Sequence, residues 1–123
     1  MKYNIRAVGP AKRDIREVHR YIKDDLQSSA AAQRRLDLIH EKILGLETMP
    51  ARYPLVPDEY LASKGIRVVA AKTHLVFFVI REHTQDELRR VFVLRVLYGR
   101  RDWARILTID IEHPDRFNDV DFA

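Results

Sequence analysis

No cysteine occurs in the 123 residues. That excludes disulfides, thiolate metal sites and thiol catalysis, and it fits a reducing compartment. No run approaches the roughly 18 consecutive apolar residues that a membrane-spanning helix needs. The opening Met-Lys-Tyr-Asn-Ile-Arg also lacks the apolar stretch of a signal peptide, so a cytoplasmic address and no membrane partner are expected. The five histidines, His19, His40, His74, His83 and His113, stand far apart and show no H-E-x-x-H or other ligand spacing, so no metal is expected. There is no G-x-S-x-G, no phosphate-binding loop and no dinucleotide fingerprint, and no cofactor is implied.

What is present is a single domain's worth of chain with enough apolar residues, 46%, for a real core. The formal charge of +4 is unevenly spread. Residues 108–123 hold Asp110, Glu112, Asp115, Asp119 and Asp121 against Arg116, a net of −4, which leaves +8 on residues 1–107. The expected division is therefore a basic domain, 1–107, and an acidic C-terminal tail, 108–123. Sixteen of the 22 basic residues are arginine, which favours forked recognition of phosphate or carboxylate. Such a body suits an acidic partner: a nucleic acid, an acidic protein or its own tail.

Hydrophobic periodicity gives the order of elements. Tyr3, Ile5 and Ala7 alternate with polar neighbours and predict a strand that ends at Gly9-Pro10. Ala11, Ile15, Val18, Ile22 and Leu26 then form a helical stripe, with Lys12, Arg13, Asp14, Arg16 and Glu17 assigned to the other faces. After Ser28 and Ser29, a candidate N-cap, the stripe Ala32, Leu36, Ile39, Ile43 and Leu46 predicts a second helix that Met49-Pro50 stops and that contains Gly45. Residues 50–63 read as a surface loop pinned by Tyr53 and Tyr60. Three strands come next, Ile66–Ala71, Thr73–Glu82 and Arg89–Tyr98, with links too short for parallel crossovers and a solvated loop from His83 to Leu88. A short helix should start near Trp103, and Thr108 to Ile111 alternates well enough to add a strand. The fold class is α+β in the order β-α-α-β-β-β-α. A helical hairpin should pack on one face of a small, mainly antiparallel sheet and leave the opposite face more open.

Val91 to Arg105 stands out, because an almost wholly apolar strand empties into a cationic, aromatic turn. Arg95 is the only charge between Val91 and Tyr98. It must meet a carboxylate, snorkel to the rim, or line a groove built for anions. The basic and aromatic residues at the strand ends, Lys64, Arg67, Lys72, Arg95, Tyr98, Arg100, Arg101 and Trp103, form the candidate binding set for a target or partner. The plainer reading of Tyr98 and Trp103 is an apolar lid on the sheet edge. The same set permits metal-independent RNA cleavage, which needs a proton acceptor, a proton donor and cationic stabilisation of a phosphorane. In that case Arg67, Arg95, Tyr98, Arg100 and Arg101 are the candidate catalytic residues.

From Tyr3 to Leu107 the chain resembles the RelE/ParE superfamily of type II toxin–antitoxin toxins, most closely its ParE or plasmid-stabilisation branch. The carrying segments are Tyr21-Ile22, Ile43 to Pro50 with its Leu46-x-x-x-Pro50 ending, Gly65-Ile66-Arg67, Leu75 to Ile80, and Val93 to Asp102. The resemblance implies a growth-inhibiting toxin neutralised by a cognate antitoxin that wraps it, forming a hetero-oligomer. ParE-like members are known as inhibitors of DNA gyrase, whereas RelE-like members cut messenger RNA on the ribosome without a metal. Arg67 falls where the nuclease branch places an arginine, Arg100 or Arg101 near its late-strand arginine, and Tyr98 near a tyrosine of some nuclease members. The ParE branch often has histidine at the Tyr98 position. An inactive binding module of the same fold is the third possibility, and the acidic tail extends beyond where these toxins often end.

Overall fold

The computed structural model describes residues 2–24, 29–83, 88–117 and 120–122. Four strands, β1 (Asn4–Ala7), β2 (Arg67–Ala71), β3 (His74–His83) and β4 (Leu88–Tyr98), form one sheet in the order β1-β4-β3-β2. β1 pairs parallel with β4, Asn4 opposite Arg90 and Ala7 opposite Val93, while β2–β3 and β3–β4 are antiparallel. The sheet is thus mixed and mainly antiparallel, in keeping with the short links between the late strands.

Two 16-residue helices, α1 (Gly9–Asp24) and α2 (Ser29–Leu44), make the hairpin. Pro10 sits at the first turn of α1, where its missing N–H costs nothing and its fixed φ suits the helix. Ala11 from α1 and Ala32, Leu36 and Ile39 from α2 are buried, as their helical spacing requires. Asp14, however, is buried too, only 5% exposed, so its assignment to the polar face is corrected. It lies three residues after Ala11 and four before Val18, which is the buried side of a 3.6-residue repeat. Ser28 and Leu26 lie outside the described residues, as does 84–87 of the loop between β3 and β4.

Helix α2 ends at Leu44, and Gly45 opens a short 3-10 turn, Gly45–Glu47, rather than lying inside the helix. The stretch read as a loop holds a further helix, α3 (Glu59–Ser63). Asp58 caps it, its carboxylate accepting from Leu61 N at 3.0 Å, a contact of the kind that contributes about 1 kcal/mol. The cap fixes Leu61, which is wholly buried. Tyr53 pins the loop on Phe78 with ring centroids 6.3 Å apart, whereas Tyr60 is exposed.

The last helix, α4 (Trp103–Glu112), starts at the Asp102 cap, whose carboxylate accepts from Arg105 N at 3.3 Å. It runs through Thr108 to Ile111, so those residues are helical and add no strand. Trp103 packs on Phe77 with centroids 5.4 Å apart, and Leu107 is wholly buried. Val76, Phe77, Phe78 and Val79 of β3 and Val91 to Leu94 of β4 are all buried. Side chains on a strand alternate between faces, so both faces of the central strands are covered, and the face opposite the hairpin is closed there, not open. Among the described residues no helix is long and apolar enough to cross a membrane.

Candidate functional site

Strand β4 carries the feature that builds the site. Phe77 faces Arg95 while Phe78 faces Val93, so Leu94 has no partner across the ladder: a β-bulge. A bulge re-aims the side chains around it and frees backbone donors. Here the freed geometry goes to Asp14 of α1, which accepts from Val96 N at 2.9 Å and from Arg95 Nε and Nη2 at 2.7 and 2.9 Å. Arg95 Nη1 also donates to Asp110 of α4 at 3.0 Å, and Arg116 Nη1 donates to the other oxygen of Asp110 at 3.0 Å. Two carboxylates and two guanidinium groups therefore join α1, β4, α4 and the turn Pro114–Phe117.

Burial alone would pull the Arg95 guanidinium down. The hydrogen bonds and charges of Asp14, then Asp110, more than offset this and leave it above its ordinary value. Of the three roles open to Arg95 in the sequence, the carboxylate partnership is the one observed. Asp110, assigned by sequence to an acidic tail, is 0% exposed and part of the domain's interior. Phe117 is also in the core, so packing crosses the expected boundary at residue 107.

Around this network lie two clefts. One, about 210 Å³, has Val18, Ala32, Val96 and Leu97 on its floor and Tyr21, His74 and Tyr98 at its walls, with Arg35 and Arg101 beside them. Tyr21 and Tyr98 are 63% and 43% exposed, large apolar surfaces facing solvent at a groove rim. The other, about 330 Å³, is polar and is lined by Arg13, Arg95, Arg101 and Arg116 with Pro10, Asp14 and Glu17. Asp14, Glu17 and Arg101 line both, so an apolar groove runs into a cationic one. Among the described residues, the Arg13 and Arg101 side chains make no ion pair, and both are exposed. His74 sits edge-on to Tyr98, centroids 5.8 Å apart. Burial, then the nearby Arg35 charge, lowers its pKa below the ordinary 6.5.

The sequence-derived set is thus divided. Arg95, Tyr98 and Arg101 come together where the helical hairpin crosses the end of β4, with Arg100 exposed in the adjoining turn. Trp103 is half-buried against Phe77 and serves packing. Lys72, at φ 60 in the β2–β3 turn, lines a neighbouring cleft with Arg34, Glu41 and Arg35, the last shared with the apolar groove. Arg67 lies on the edge strand β2, where Nη1 donates to Tyr53 O at 2.6 Å. Its cross-strand partner is Phe78 and that of Tyr98 is His74, four residues along β3, roughly 13 Å at the rise of a strand. Lys64 comes directly after α3 and donates to Phe122 O at 3.2 Å. Sequence reasoning missed Arg13, Asp14, Tyr21, Arg35 and Arg116. Asp14 carried a signal in its place on the buried stripe, and Tyr21 in the Tyr21-Ile22 pair; Arg13, Arg35 and Arg116 come from α1, α2 and the turn after α4, and only tertiary packing brings them to the end of β4.

No curated protein matches the chain. Among solved structures it is similar to a chain of the chromosomal ParDE TA system from P. aeruginosa, at 15% identity and a TM-score of 0.56, covering 78% of this chain and 95% of that one. At that identity the likeness speaks for the fold. The family model for the ParE toxin of the type II toxin–antitoxin system parDE matches residues 6–103, from β1 through the bulged strand to the first residue of α4. That span takes in most of the chain, the second half of β1 and the other three strands whole, and on it the chain belongs to the ParE toxin family.

Proposed function

We propose that this toxin arrests growth by binding DNA gyrase, and that a cognate antitoxin neutralises it by occupying the groove between the α1–α2 hairpin and the end of β4. The observation that carries this reading is the joined groove itself: exposed Tyr21 and Tyr98 beside Arg13 and Arg101, which have no ion-pair partners among the described residues. Large aromatics next to unpaired guanidinium groups are what protein-binding hot spots are built from. A groove that is apolar at one end and cationic at the other suits an acidic amphipathic segment. Tyr98, Arg101 and Arg13 are the residues assigned to contact, with Arg100 at the rim.

Messenger RNA cleavage has weaker support. It requires proton transfer and charge stabilisation at one point, yet Arg67 is engaged by Tyr53 on the far edge strand and Arg95 by two carboxylates. The deciding experiment is a pair of assays on the purified chain: gyrase supercoiling, and transcript integrity on translating ribosomes. Inhibited supercoiling with intact transcripts is the expected result. Cut transcripts with normal supercoiling would reverse the assignment.

A further inference from the structure

The end of the chain lies on a built surface. Lys64 Nζ donates to Phe122 O and Arg81 Nη2 to Asp121 O, both at 3.2 Å. The Arg81 guanidinium lies 5.4 Å from the Phe122 ring centroid, and the ring leans on Phe117 at 5.8 Å. Lys64 also sits 5.5 Å from the Tyr60 ring. A cleft of about 380 Å³ opens beside the segment, with Val120 and Phe122 forming one part of its lining and Tyr60, Lys64, Ile111 and Phe117 another.

These contacts recognise a kind of segment rather than a unique sequence. Two cations hold main-chain carbonyls, and one of them, Arg81, also faces the aromatic ring of the segment. The charge of Asp121 acts on Arg81 as well, opposing the lowering that burial causes. Lys64 and Arg81 fall inside the family-matched residues 6–103, whereas 120–122 lie beyond them. The cations that hold the segment are therefore part of the family-matched fold, while Ile111 and Phe117 beneath it and the segment itself come from later in the chain. Phe117 is core, 2% exposed, and Val120 N turns back on Phe117 O at 3.0 Å. The anchored body thus ends at Phe117, and residues 120–122 are held by part-exposed contacts that can open locally.

We propose that Tyr60, Lys64 and Arg81 form a second protein-binding site, specific for a short acidic segment with an aromatic residue, and that Val120–Phe122 occupies it in cis. A partner segment of the same chemistry takes the site by displacing the tail. The site is separate from the hairpin groove and stands or falls independently of the gyrase reading.

The test uses a fluorescent peptide, Phe-Asn-Asp-Val-Asp-Phe-Ala, copying residues 117–123. A tethered tail competes at an effective concentration on the order of millimolar, so the wild-type chain should bind the peptide about tenfold or more weakly than the full-length Phe122→Ala chain. Adding Arg81→Gln to Phe122→Ala should abolish the gain, and a peptide with both aspartates changed to asparagine should bind more weakly. Equal binding by wild type and Phe122→Ala, or indifference to Arg81→Gln, overturns the proposal. Nuclear magnetic resonance on the wild-type chain with excess peptide guards against a misfolded variant. The Lys64 and Arg81 amides should shift, and shifts confined to other residues reject the site.

Discussion

Arg95 and Asp14, 81 residues apart in the chain, meet as a two-pronged ion pair in which each guanidinium nitrogen faces its own carboxylate oxygen. The side chains are 14% and 6% exposed, so the pair is largely withdrawn from water. Its second carboxylate, Asp110, ties the same arginine to α4. The hairpin and the last helix are thus clamped to one residue of β4, and the groove between the hairpin and the end of β4 is built around that clamp.

Removing one partner of a buried pair strands the other. Asp14→Ala should lower stability by about 3–5 kcal/mol, because it leaves part of the Arg95 charge uncompensated and the Val96 N–H without its acceptor. Replacing both with apolar residues, Asp14→Leu with Arg95→Met, should cost less than the sum of the single changes. Urea unfolding of the four chains checks this. A purely functional Arg95 would instead leave the unfolding midpoint unmoved.

Arg101 and Tyr98 face outward, so their loss should separate binding from folding. Arg101→Glu should weaken gyrase inhibition by at least about tenfold, equivalent to 1.4 kcal/mol, with a melting temperature close to wild type. Tyr98→Ala should act in the same direction. The readout is the concentration that halves supercoiling, set beside a thermal melt of the same preparation.

His74 ties stability to pH. Its folded pKa lies below the ordinary 6.5 because burial, then Arg35, disfavours the charged ring. In the unfolded chain it picks up a proton near 6.5, where the folded chain resists one, so the folded state is penalised as pH falls below that value. Its contribution is complete above the unfolded pKa and lost on acidification towards the folded one. Stability should therefore fall as pH drops below about 6.5, and His74→Gln should flatten that slope in urea titrations across the acidic side of that value. An unaltered slope in the variant would count against the assignment.

Gly65, after α3, holds φ +81, a left-handed conformation that a Cβ strains. The site itself has room, since an added Cβ would meet only the Arg81 side chain at 3.8 Å. Gly65→Ala should thus cost about 1–2 kcal/mol from backbone strain alone. Differential urea midpoints measure it, and a neutral or stabilising outcome would mean that the turn relaxes.

Local pattern carried the architecture. The alternation Tyr3-Ile5-Ala7, the helical stripes of Ala11 and Leu36, and the doubly apolar runs of β3 and β4 each state which side must leave water, and that settles element type and order. The arginine-rich segment after Tyr98 was legible as a place where charge gathers. The short α3 was not, because five residues among three prolines leave too little periodicity to read. The helical course of Thr108 to Ile111 was hidden by an alternation that Leu107 and the Asp102 cap override.

Which charges are free was decided only in three dimensions. Arg67, Arg95 and Arg101 are the same residue type, in or just after strands β2 and β4. One is held by Tyr53 O, one by Asp14 and Asp110, and one remains without an ion-pair partner among the described residues. A guanidinium's role depends on which carboxylates and carbonyls arrive within about 3 Å of it. Those arrive from 14 to 81 residues away, through a bulge at Leu94 and a helix crossing that no local pattern encodes.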